Sequence, residues 1–119
     1  MDSILTSVKK MLGITEEYEH FDPDLIMHIN SVFMILYQLG VGPSKVFSIN
    51  GDGETWADFI EGDGEPLNLV RSYMYLKVRL LFDPPQAGPA IESINRMIGE
   101  FEWRLKSEAE LGKEIQNDE

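Results

Sequence analysis

Six side chains able to bind a cation fall within nine residues of this sequence: Glu16, Glu17, Glu19, His20, Asp22 and Asp24. Carboxylates and an imidazole are the ligands a divalent metal takes. A catalytic metal, however, needs ligands that converge from rigid elements, and these follow one another along a turn. Asp22 also has a simpler use, as the carboxylate that caps a helix opening at Pro23. We therefore expect no metal here. The near-repeats "NGDGE" at 50–54 and "EGDGE" at 61–65 set oxygen ligands beside glycines. They lack the alternating acidic pattern and distal bidentate glutamate of a calcium loop, so they read as surface turns. No G-x-x-x-x-G-K-[ST] or G-x-G-x-x-G is present to cradle a phosphate. His28 stands between Met27 and Ile29 without a cysteine or evident serine partner, which suits packing or an interface better than base catalysis. The expectation is no catalytic residue, no cofactor and no metal.

What remains chemically conspicuous is "YLKVRLLFDPP" at 75–85, where Lys77 and Arg79 interrupt an apolar run that stops on two prolines. Long cationic side chains can lay their stems on apolar surface and reach a carboxylate or a neighbouring chain with their tips. Asp83 is one such carboxylate; the sequence does not rank an internal ion pair against one between subunits. Trp103 lies four residues after Gly99 and seven after Arg96, so its indole can cover the glycine and meet the guanidinium.

These residues must be held by a small fold. At 119 residues and 13.6 kDa the chain makes one domain, burying roughly two-thirds of its unfolded surface. Without cysteine, disulfides, thiolate nucleophiles and Cys-ligated metals are excluded. A net charge of −11 opposes tight nucleic-acid binding. No apolar stretch reaches the roughly 18 residues of a membrane span. The opening "MDSILTSVKK" places its lysines after the apolar residues, the reverse of a secretory signal, so we expect a cytoplasmic origin.

Helix punctuation recurs, and the fold class is all-α: a small bundle of about four helices with a long Gly-rich region between the second and third long ones. The first helix spans Asp2 to Leu12 and ends at Gly13. The second, Pro23 to about Leu39, carries Leu25, Ile29, Val32, Leu36 and Leu39 on one stripe. Ile26, Phe33, Met34, Ile35 and Tyr37 widen its apolar arc, which places it centrally or at a subunit contact. Residues 41–66 form a loop region, with "TWADFI" as one helical turn and "KVFSI" at 45–49 as a short strand. The third long helix runs from Pro66 to Phe82 with two apolar stripes. A fourth runs from Pro89 or Ala90 to about Leu105, with Ile91, Ile94, Ile98, Phe101 and Leu105 inward and Glu92, Arg96, Glu100 and Arg104 as spaced ion pairs. Residues 1–105 are the helical domain, and 106–119 a polar, flexible C-terminal tail.

In this order, "DPDLIMHINSVFMILYQLGVGP" (22–43), "TWADFI" (55–60), "RSYMYLKVRLLFDPP" (71–85) and "GEFEWRL" (99–105) resemble the head-tail connector, or adaptor, proteins of long-tailed bacteriophages of Gram-positive hosts. The resemblance implies a homo-oligomeric ring beneath the portal protein in the virion neck. Such a ring extends the DNA channel, lets genomic DNA pass without specific binding and offers a platform to the next neck or tail-completion protein. It implies assembly, not catalysis. It also implies portal contact through the C-terminal part, from Trp103 onward, with Leu111 and Ile115 as apolar anchors. From their own chemistry Lys77 and Arg79 are expected at a subunit or partner interface or in an intramolecular pair. The competing expectations are a non-viral helical interaction module binding through the broad apolar face of 22–39, and a small metal-dependent hydrolase built on the carboxylates near His20.

Overall fold

The computed structural model describes residues 3–60 and 64–117, with the side chains of Glu65 and residues 113–117 set aside. The chain order is α1 (Ile4–Met11), α2 (Asp22–Gln38), the single turn α3 (Trp56–Phe59), α4 (Glu65–Phe82) and α5 (Gly88–Asn117). The fold is all-α, as the sequence indicates. Among the described residues the only β pairing is an isolated antiparallel bridge between Ser3 and Thr55.

Local chemistry sets most boundaries. Ser3 caps α1 by accepting the Thr6 N–H at 3.2 Å, and Lys9 and Lys10 face the negative end of the helix dipole. Gly13 follows with φ +80°, the left-handed conformation that stops a helix. Thr55 and Asp58 cap α3 reciprocally. At the end of α4, Asp83 leaves helical geometry with φ −148° and ψ 70°, because Pro84 disfavours the α region in the residue before it.

α4 lies between α2 and α5 and packs against both, while α1 bridges α2 and α4. Ile4 and Val8 of α1, Leu25, Ile29, Val32 and Leu36 of α2, and Val70, Tyr73, Met74 and Val78 of α4 are completely buried. Ile98 and Leu105 are the buried residues of α5, with Ile94 and Phe101 packed beside them. Within the same core Phe33 meets Phe47 and Phe59, ring centroids 5.0 and 4.8 Å apart. Gly42 is required there. Its φ is +97°, and a Cβ on it would fall 2.5 Å from the Phe59 ring.

Three expectations need correction. Asp22 does not cap α2: Phe21 occupies that position without a side-chain hydrogen bond, and Asp22 is the first helical residue. Its carboxylate meets the Lys9 ammonium at 2.9 Å, and Lys9 Nζ also donates to the Glu16 carbonyl at 2.8 Å. The Lys9 side chain is only 3% exposed, so tertiary charge pairing takes the carboxylate that a local cap would have used. Residues 45–49 form no strand. The Asn30 amide supplies both bonds a strand neighbour would have given, accepting from Ile49 N–H at 2.8 Å and donating to its carbonyl at 3.0 Å. Third, α5 does not end near Leu105 but continues to Asn117. Residues 106–111 are largely good helix formers, and Gly112 is tolerated within them. Of the second repeat, at 61–65, residues 61–63 lie outside the described ones.

Removing Lys9 strands a carboxylate and a carbonyl. Lys9→Ala is expected to lower the unfolding free energy by about 3 kcal/mol in urea titration, and Lys9→Met combined with Asp22→Asn to recover most of that loss. Equal losses in both proteins would show that the pair does not hold α1 to α2. Asn30→Ala, which frees two backbone groups of Ile49, is expected to cost about 2 kcal/mol in the same assay.

Candidate assembly surfaces

Lys77 and Arg79 of α4 are anchored within the chain. Lys77 Nζ lies 3.8 Å from Glu102 Oε2 of α5, and the same oxygen accepts the Tyr73 hydroxyl at 2.6 Å. One carboxylate thus ties two turns of α4 to α5. Burial, reinforced by that hydrogen bond and the negative charge of Glu102, holds the Tyr73 phenol well above the ordinary tyrosine range. Arg79 Nη1 donates to the Tyr75 hydroxyl at 3.0 Å, one turn back on α4, and its buried Nε has no partner among the described residues. Asp83 forms no ion pair with it. Both cations therefore have an internal partner, although Arg79 takes a phenol in place of a carboxylate.

Lys77 also borders an open groove between α2 and α4. With a volume of about 350 Å³, the groove is lined by Met27, His28, Val32, Ile35, Leu80 and Leu81. His28 belongs to this wall, which Ser31 and Lys77 also line. A further cleft of about 460 Å³ between α4 and α5 holds Arg71, Tyr75, Met97 and Phe101. Arg71 reaches from it over the Trp56 ring at 5.9 Å. The Trp56 indole N–H in turn donates to Ser7 at 2.8 Å.

The tryptophan expected to lie over Gly99 does not. Nothing stands within 4 Å of where a Gly99 Cβ would be, and Trp103 is 69% exposed on the outer face of α5. Arg96 takes no part in stacking. Of the ion pairs expected along this helix, Arg104 with Glu100 at 2.7 Å is the one that forms among the described residues. Leu111 is exposed on the same helix; Ile115 is helical, and its side chain lies outside the described ones.

The broad apolar arc of α2 divides in two. Its inner stripe fills the core, while Met27 and Met34, seven residues apart, are 58% and 45% exposed with Tyr37 beside them. The sequence showed the arc but not which part stays uncovered. The carboxylates near His20 do not converge; the His20 ring packs edge-on to Phe21 at 5.1 Å. Among the described residues no three His, Asp or Glu side chains come together as a metal site, and no helix is long and apolar enough to cross a membrane.

The surfaces just described are apolar and charged. A family model described as phage connector protein matches residues 4–112. The match spans almost all of the chain, so the chain belongs to that family. No curated protein and no solved structure matches it.

The Tyr73–Glu102 bond carries a signed pH dependence. A phenol whose folded pKa is raised stabilises the fold fully below the unfolded value of about 10; that stability is lost as pH rises beyond it, when only the unfolded chain releases the proton. Above pH 10 the wild type should therefore lose about 1.4 kcal/mol per pH unit more than Tyr73→Phe, measured by urea unfolding at successive pH values. Parallel profiles would show that the phenol ionises alike in both states.

Proposed function

We propose that this phage connector assembles as a homo-oligomeric ring beneath the portal, at the head–tail junction of the virion. The ring extends the DNA channel and presents a platform to the next neck or tail-completion protein. The observation that carries this reading is the family match over residues 4–112. The chain acts by assembly, without a catalytic step or a cofactor. Its net charge of −11 suits a wall along which DNA slides without adhering.

The exposed apolar residues supply contact energy for such an assembly. Monomeric surfaces seldom gather large apolar side chains without an interaction to use them. The last turns of α5, with Leu111 and Ile115, are the portal-facing anchors, because these are the large apolar residues of an otherwise polar stretch beyond the buried Leu105. Lys77 and Arg79 sit at the end of α4, where an internal partner and a neighbour's carboxylate can share one cation.

Affinity capture with the tagged chain from cells producing the parent phage is expected to recover the portal as the dominant partner, read by mass spectrometry. Leu111→Glu should reduce that recovery about tenfold while leaving the helical circular dichroism unchanged. Enrichment of an unrelated host protein with no portal would overturn the connector reading.

A further inference from the structure

Of the asparagines in the chain, Asn50 alone precedes a glycine. The structure sets it apart from the others as well. Asn30 commits its amide to Ile49, while Asn68 and Asn95 lie inside α4 and α5, where the N–H of the following residue belongs to the helical ladder. Asn117 precedes an aspartate. Asn50 is exposed on a bend outside any helix. Among the described residues, neither its side-chain amide nor the Gly51 N–H has a hydrogen-bond partner. Gly51 has no positive φ, and nothing stands within 4 Å of where its Cβ would be.

The neighbouring residues on either side are tied down. Ile49 is clamped by Asn30, the Asn50 N–H donates to Glu54 Oε2 at 2.8 Å, and the Glu54 carbonyl accepts the Ile4 N–H at 2.9 Å. Residues 49–54 therefore connect α2 to α1. Between these ties, Gly51, Asp52 and Gly53 make no such bond among the described residues. A side-chain amide and the next backbone nitrogen are held at high effective concentration by the chain itself. Glycine in second place lacks the Cβ that would restrict their approach.

We propose that Asn50 is a site of spontaneous self-modification, in which the Gly51 nitrogen displaces the side-chain amide and water then turns residue 50 into a carboxylate. Solvent base takes the Gly51 N–H proton, and the nitrogen attacks Asn50 Cγ. The bond from Cγ to the side-chain nitrogen breaks, and ammonia leaves with a proton from water. Water next adds to either carbonyl of the resulting cyclic imide and opens it. The net change consumes water and releases ammonia. Opening on one side gives aspartate; opening on the other gives isoaspartate, whose main chain runs through the former side chain and is longer by one atom. Either product sets a new negative charge close to the Glu54 carboxylate. Isoaspartate also lengthens the chain between the Ile49 clamp and the Glu54 tie, and so loosens both.

The test keeps the full, folded chain at physiological temperature in mildly alkaline buffer and maps its peptides over days by tandem mass spectrometry. Residue 50 is expected to gain about 1 Da, with isoaspartate among the products. It should convert at least about fivefold faster than Asn30, Asn68 or Asn95. Gly51→Ala fits the open site, keeps wild-type circular dichroism and should slow the conversion about fivefold or more. Equal rates at Asn50 and the helical asparagines, or an undiminished rate in Gly51→Ala, would overturn the assignment. So would conversion confined to urea-unfolded protein, since the folded loop would then hold the reacting groups apart. Asn50→Asp reproduces the charge without the longer main chain. Hydrogen exchange at the Ile49 amide should therefore be faster in the isoaspartate form than in Asn50→Asp, and equal exchange would overturn the loosening of the clamp.

Discussion

A lysine ammonium cannot be left in a protein interior without a counter-charge, and Lys9 is almost wholly enclosed. Much of the N-terminal half follows from satisfying it. The Asp22 carboxylate comes to it from the start of α2, and the Glu16 carbonyl from the intervening turn. Residues 13–21 are thereby folded back across the end of α1. Two residues before Lys9, Ser7 accepts the Trp56 indole N–H, and Ile4 N–H donates to the Glu54 carbonyl at 2.9 Å. A helix of eight residues thus fixes the entry to α2 and the position of α3. So short a helix has little stability of its own, and the buried contacts of Ile4, Leu5 and Val8 with these polar bonds hold it in place.

The polar ties are also what the sequence conceals. Helix starts and stops are local events, and Gly13, Pro23, Pro66 and the Pro84–Pro85 pair mark them well because they act on their immediate neighbours. The inward stripes of α2, α4 and α5 were legible for a related reason: their 3.6-residue period reflects one-sided burial. Asp22 was misread because its capping pattern is local while its actual partner is thirteen positions away. Residues 45–49 have the alternation of a strand, yet a side-chain amide nineteen residues earlier pairs with Ile49, and a sequence pattern has no means of expressing that substitution.

Among the candidate contact residues, Lys77 and Arg79 stood out because charge within an apolar run is visible in the sequence. Their partners were not, since Glu102 resembles every other glutamate of an acid-rich helix and Tyr75 reads as packing. The exposure of Trp103 was equally hidden. Spacing allowed it to lie over Gly99, but α4 covers the other side of α5, and Ile98 and Leu105 satisfy that contact without it. An aromatic left over from a completed core is recognised only once the core is known.

That surplus has a physical counterpart in the acidic charge. Apolar faces exposed on α2 and α5 favour association in any orientation, because hydrophobic attraction has no direction. Twenty-one carboxylate residues against ten cations raise the repulsion between copies, and that repulsion does depend on orientation. It is weakest where a cation of one copy approaches a carboxylate of the next and strongest where two acidic faces meet. In the proposed ring the apolar residues therefore provide the energy of contact and the charges choose its geometry. The acidic excess that disfavours nucleic-acid binding also restrains apolar faces that would otherwise promote disordered aggregation.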